Sequence, residues 1–319
     1  MSGCGTDFVL DYQLKLVTNI TTELETELSL GADAEIKGML KEYLQDIFTD
    51  YARDVDLSFY DTEPPMTRLN HMSEVMNGSE SSYTLYLPVR KYRHTAVANI
   101  LENQSVVLRD DEECQSGRLV QESSATTVPP HKTGLFTARQ DIDVLSGMDQ
   151  HFDVHLYMAN AASALVLDLS GAPSVKDLKV TVSGFATEFH ISDSTYVFPQ
   201  TAVVMETRRL DNVWKNRACF VSVHFPSPSL EDTKIIIDDG GASEGVSEDS
   251  LWAWTIHATL QDGTVTESVL QMHNPLPAGH LKVLNAIVSD NGSVTTPDTT
   301  VGVSITLDWH DAGEYNTEL

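Results

Sequence analysis

The sequence predicts a mainly β protein, two tandem β-sandwich domains with one amphipathic helix in the first. Short alternating or β-branched segments recur between turn formers along most of the 319 residues, the pattern of antiparallel strands. Only between residues 33 and 53 do apolar positions repeat at three and four, as on one helix face. Asp262-Gly263 falls between two strong strand patterns, and both residue types tolerate the positive φ of a tight primed hairpin turn.

In chain order, Leu14-Lys15-Leu16-Val17-Thr18 opens as a strand. The helix is expected over about 34 to 52, with Ile36, Met39, Leu40, Tyr43, Leu44, Ile47, Phe48 and Tyr51 on its apolar face. Asp33 can accept a backbone N–H bond as its cap, and Glu35 suits the positive end of its dipole. Strand patterns follow at 55 to 59, 83 to 87 and 106 to 108, and as one long run from 152 to 169. The second half continues at 178 to 182, 185 to 191, 203 to 206, 219 to 225, 234 to 237, 252 to 261, 265 to 272, 280 to 290 and 301 to 309. So many strands exceed one sheet, and with one helix few parallel crossovers can be drawn. Ser170-Gly171-Ala172-Pro173 opens a fresh series of hairpins, so the expected division is 1 to 160 and 161 to 319.

Composition excludes several functions. Asp and Glu number 47 against 20 Lys and Arg, a formal charge of -27. No basic cluster is available to release counterions from a phosphate backbone, so nucleic acid is not an expected partner. No run approaches the ~20 apolar residues of a spanning helix. The three cysteines, Cys4, Cys114 and Cys219, lack zinc-site spacing. A bridge between Cys114 and Cys219 is arithmetically open, with Cys4 left over. Met1-Ser2-Gly3-Cys4 reads like the end of a bacterial lipoprotein signal, although the charged and apolar regions of such a signal do not precede it. A buried or idle thiol accounts for Cys4 equally well.

The motifs that could carry chemistry have plainer explanations. Gly241-Ala242-Ser243-Glu244-Gly245 matches the hydrolase elbow, but no helical period follows it and its acidic flank disfavours an oxyanion. The loop from Asp238 to Asp249 offers oxygen ligands without the order of a calcium loop. His151, Asp153 and His155 alternate on one face of a strand, where zinc could bind but where a solvated face suffices. Asn19, Asn77, Asn103 and Asn291 stand in glycosylation sequons, which bear on a eukaryotic secreted protein only. No catalytic residue, cofactor or metal is therefore expected.

Taken together, the segments resemble the FimB and Mfa family of fimbrial anchor and accessory proteins from Bacteroidales. The likeness rests on Cys4 followed by Leu14 to Ile20, on Tyr83-Thr84-Leu85-Tyr86-Leu87-Pro88 leading to Tyr92, and on Gly134-Leu135-Phe136 with Asp153 to Met158. It continues in Trp254 to Thr264, Asn274 to His280 and Val301 to Trp309. The resemblance implies transthyretin-like Greek-key sandwiches and export to the cell surface. It also implies an outer-membrane lipid at Cys4, and partner fimbrial subunits joined by donor-strand exchange.

The exchange itself has a general physical basis: an open strand edge beside an apolar groove is completed by an alternating segment from another subunit. Leu14, Leu16, Thr18 and Ile20 form an N-terminal edge candidate, and Val301, Val303, Ile305 and Leu307 a C-terminal one. An ordinary internal strand is the preferred reading of the latter. The expectation is a non-enzymatic fimbrial anchor or accessory subunit with a possible host or bacterial surface ligand. The alternative is a surface lipoprotein that binds a glycan or protein, with Trp252 or Trp254 as a stacking platform.

Overall fold

A computed structural model describes residues 8–17, 34–49, 52–73, 82–109, 113–114, 117–122, 127–146, 148–210, 216–229, 250–298 and 300–308. The first elements are β1 (Phe8–Val17), α1 (Ala34–Ile47), β2 (Val55–Tyr60), β3 (Arg68–Met72), β4 (Ser82–Leu87), β5 (Lys91–Ala98), β6 (Val106–Arg109) and β7 (Arg118–Gln121). Next come β8 (Thr127–Val128), β9 (Phe136–Asp143), β10 (Gln150–Met158), β11 (Ala161–Asp168), β12 (Val175–Ser183), β13 (Glu188–His190), β14 (Thr195–Val197) and β15 (Val204–Glu206). The last are β16 (Arg208–Arg209), β17 (Arg217–His224), β18 (Trp252–Leu260), β19 (Val265–Met272), β20 (Leu281–Val288), β21 (Val294–Thr295) and β22 (Val301–Asp308).

The fold is mainly β, as the alternation predicts, and its sheets form sandwich-like units. A seven-stranded sheet runs β3-β2-β5-β9-β10-β1-β4. Its β9 and β10 pair only through Thr137 with Tyr157 and Phe136 with Met158, so the sheet opens beyond that corner. Its two halves share one core: Leu57 and Phe59 of β2, Tyr92 and Ala96 of β5, and Ala138 and Ile142 of β9 cluster with Leu85 and Leu87 of β4 and Val154 and Leu156 of β10. Ile36, Leu40, Leu44 and Ile47 of α1 enter the same cluster at a spacing of four, four and three, which is why this stretch folds as a helix. The expected cap Asp33 and apolar-face residue Tyr51 lie outside the described residues.

In the five-stranded sheet β16-β17-β11-β20-β21, the central strands β11 and β17 are buried on both faces. Ala162, Ala164 and Val166 face the first core, while Ala161, Leu165 and Leu167 face a second. The six-stranded sheet β22-β19-β18-β12-β15-β8 closes that second core with Trp254, Ile256, Ala258, Leu270 and Met272. Asp262-Gly263 forms the expected turn between β18 and β19, with Gly263 at φ 90° and the Asp262 carboxylate accepting from the Thr264 amide at 2.9 Å.

Two long parallel pairs, β1 with β10 and β11 with β20, depart from the nearly all-antiparallel expectation. Neither sheet needs a helical crossover, because the partners are reached through long excursions into other strands. The run from 152 to 169 is two strands, broken at Ala159-Asn160, where the chain passes from one sheet to the next.

That junction is buried and hydrogen-bonded. Asn160 accepts from the Leu135 amide at 3.2 Å, donates to the Thr133 carbonyl at 2.9 Å and lies 3.3 Å from His131 Nδ1. His131 Nε2 in turn meets Gln121 Oε1 at 2.8 Å. Strands from before residue 160 also pair with strands after it: β8 with β15, and β7 with β13 of the small sheet β14-β13-β7-β6.

Candidate functional site

The strand-pairing candidates occupy unequal positions. Cys4, Thr18 and Ile20 lie outside the described residues. Leu14 and Leu16 belong to β1, which is no edge: it lies between β10 and β4, parallel to the former and antiparallel to the latter. The register sets Leu14 opposite Val154 and Leu16 opposite Leu156, both buried residues of β10. The strand also starts earlier than its alternation suggested, at Phe8.

Val301, Val303, Ile305 and Leu307 belong to β22, which ends the six-stranded sheet rather than lying inside it. Its one ladder is to β19, setting Val301 opposite Met272, Val303 opposite Leu270, Ile305 opposite Ser268 and Leu307 opposite Thr266. All four partners are buried, yet Val303 itself keeps 42% exposure. The far side of β22 has no partner strand among the described residues, so an apolar position stands partly uncovered beside an open ladder.

A second feature lies on the outer surface. A groove of about 390 Å³ runs between the outward faces of β9 and β10 and the β13–β14 hairpin. Arg139, His155 and Tyr157 line one side, and Phe189, Ile191 and Tyr196 the other. Tyr157 is 59% exposed. Tyr196 donates its hydroxyl to the Ala159 carbonyl at 2.9 Å, its ring centroid is 4.7 Å from that of Phe189, and burial raises its pKa. The hairpin tip is held by Asp193, whose carboxylate accepts from the Thr195 hydroxyl at 2.6 Å and amide at 3.1 Å; these bonds lower its pKa. Between them Ser194, at φ 60°, also lines the groove.

His151, Asp153 and His155 do share one exposed face of β10, as the alternation predicts. His151 Nε2 is 3.3 Å from Asp153 Oδ1, and no cluster suited to a metal ion forms among the described residues. Trp252 and Trp254 are 1% and 0% exposed, so neither can serve as a stacking platform; they fill the second core, where Trp252 donates to the Asn274 carbonyl at 3.0 Å. Cys114 and Cys219 are buried thiols not bridged to one another. Asn103 is also buried, so it is no accessible sequon. The Ser243 elbow and the acidic loop from 238 to 249 lie outside the described residues. Sequence reasoning missed Arg139, Tyr157, Ser194 and Tyr196; the one available signal was Tyr157, a large ring continuing the polar side of the His151 alternation.

No protein-family model matches the chain, and no curated sequence matches it. Solved structures do. A candidate adhesin from Bacteroides ovatus superposes with a TM-score of 0.53 at 11% identity over 94% of this chain and 99% of its own. The chain has the fold of candidate adhesins. A candidate polysaccharide-binding protein from Bacteroides thetaiotaomicron gives 0.53 at 11% identity, over 92% of this chain and 99% of its own. A candidate cell adhesion protein from Parabacteroides distasonis gives 0.51 at 13%, over 98% and 99%.

Proposed function

We propose that this chain is a non-enzymatic, cell-surface adhesion subunit, an anchor or accessory component of a fimbria, assembled by strand pairing between subunits. In this reading the chain divides near residue 160, and a lipid at Cys4 tethers it to the outer membrane. The carrying observation is the placement of β1, the first described strand, held in the middle of a sheet by one parallel and one antiparallel ladder. Withdrawing such a strand leaves β10 and β4 facing each other across a gap one strand wide, about 10 Å at the usual interstrand spacing. An alternating segment of another subunit restores both ladders and the packing. The outer side of β22, which has no partner strand among the described residues, offers a second place for pairing. The shared fold with candidate adhesins supports the surface role.

The test removes residues 1–17 and adds a labelled peptide of sequence 8–17. Saturable binding that resists detergent, and detergent-resistant ladders when subunits are mixed, are the expected results. A truncated chain that stays monomeric and ignores the peptide would sink strand exchange at this slot.

A further inference from the structure

In a chain with 47 acids and 20 bases, cations have no shortage of partners. Arg53, Arg90, Arg93, Arg109 and Arg118 each hold a carboxylate. Arg139, exposed on β9, holds none among the described residues, and it faces the groove beneath the β13–β14 hairpin. No Asp or Glu lines that groove, and Asp193, next to the lining Ser194, is occupied by Thr195. An available guanidinium in an acid-free recess of an acidic protein is a receptor for an anion, and its planar fork suits a carboxylate best.

The rest of the lining defines what carries that carboxylate. Tyr157 is an aromatic ring with its surface open to solvent, the usual platform for the apolar face of a pyranose. His155 and Ser194 offer hydrogen-bonding groups at the rim, and Phe189 with Tyr196 makes a rigid apolar back wall. At about 390 Å³ the groove falls in the size range of small-ligand sites. We propose that this groove binds a carboxylated sugar, with the ring face on Tyr157 and the carboxylate on Arg139. His155 and Tyr157 lie on β10 opposite Lys15 and Val17 of β1, so the groove borders the proposed exchange slot, but sugar affinity of the full chain is read without any strand exchange and tests the site independently of the assembly mechanism.

Calorimetric titration of the full chain tests it in two arms, trigalacturonate against its methyl ester and 3′-sialyllactose against lactose. Binding in either acidic arm, weaker by about tenfold or more in the neutral counterpart, is expected and identifies the source of the carboxylate. Arg139→Gln and Tyr157→Ala should each lose about tenfold or more in affinity, whereas Tyr157→Phe, which keeps the ring, should retain it. Both side chains are exposed, so unchanged thermal unfolding verifies the fold of each variant. No binding in either arm, equal binding of the neutral sugars, or affinity untouched by Arg139→Gln and Tyr157→Ala would overturn the proposal.

Discussion

At Gly184 the backbone runs at φ 96°, and a Cβ there would lie 2.7 Å from the Trp252 Cα and 2.8 Å from the Leu251 carbonyl oxygen. Neither obstacle is a flexible side-chain end, so β12 and the start of β18 would have to separate. Gly184→Ala is therefore expected to cost about 3 kcal/mol or more, combining left-handed strain with a backbone clash. Urea unfolding checks this, and a loss under about 1 kcal/mol would mean that the close approach is relaxed in solution. The same neighbourhood explains why Trp252 is structural. Its ring packs 5.4 Å from Phe185 and 6.4 Å from Trp254, so Trp252→Ala should unfold the second core rather than selectively remove a ligand.

Helix α1 is anchored by its buried stripe. Leu40, at 0% exposure, lies at its centre, and Leu40→Ala should destabilise the protein by about 2–5 kcal/mol. A much smaller loss would show that the helix merely rests on the sheet. At the opposite extreme stands β22, whose outer side has no partner strand among the described residues. Val303→Lys places a charge on a half-exposed edge position, a change of within about 1 kcal/mol for the fold itself. Detergent-resistant assembly through this edge should nevertheless disappear, and ladders that persist unchanged would exclude β22 from the contact.

For the whole molecule the strongest expectation concerns acid. His94, His131 and His224 are buried, and burial pushes their pKa values down to about 4, 3 and 3. His94 stacks on Phe59 with ring centroids 4.4 Å apart, and His224 bridges Ser163 Oγ and the Phe225 carbonyl at 2.8 Å each. A histidine depressed in the folded state stabilises it fully above the unfolded value of about 6.5, and that contribution is lost as pH falls toward the folded values. With three such groups the slope reaches up to about 4 kcal/mol per pH unit below pH 6. The turn carboxylates Asp61, Asp168, Asp193, Asp262 and Asp298 are also depressed, each by hydrogen bonds, and their contribution disappears only at still lower pH. Protonation relieves the repulsion of a chain at -27, but at physiological salt that repulsion is screened beyond about 8 Å. The urea midpoint should accordingly fall between pH 6.5 and pH 4. A flat profile over that interval would mean that the buried imidazoles are solvated.

The β class, helix α1 and most strands of the second half were legible because their signals are local. Alternation in Val265–Met272 and the 3-4 spacing in Ala34–Ile47 report which face is buried whatever the neighbour is. Lys91–Ala98 and most of Phe136–Asp143 carry no clear strand alternation, since His94 and Thr95 in one and Arg139 in the other interrupt the apolar period. The groove was illegible for another reason: Arg139, Tyr157 and Ser194 become neighbours only when the β13–β14 hairpin folds over β9 and β10. Composition and periodicity thus decided that this chain is an acidic stack of sheets. Tertiary structure alone decided that β1 lies inside a sheet, that β22 ends one among the described residues, and that Arg139 faces a groove with no carboxylate in its lining, because strand order and side-chain pairing depend on contacts between residues far apart in sequence.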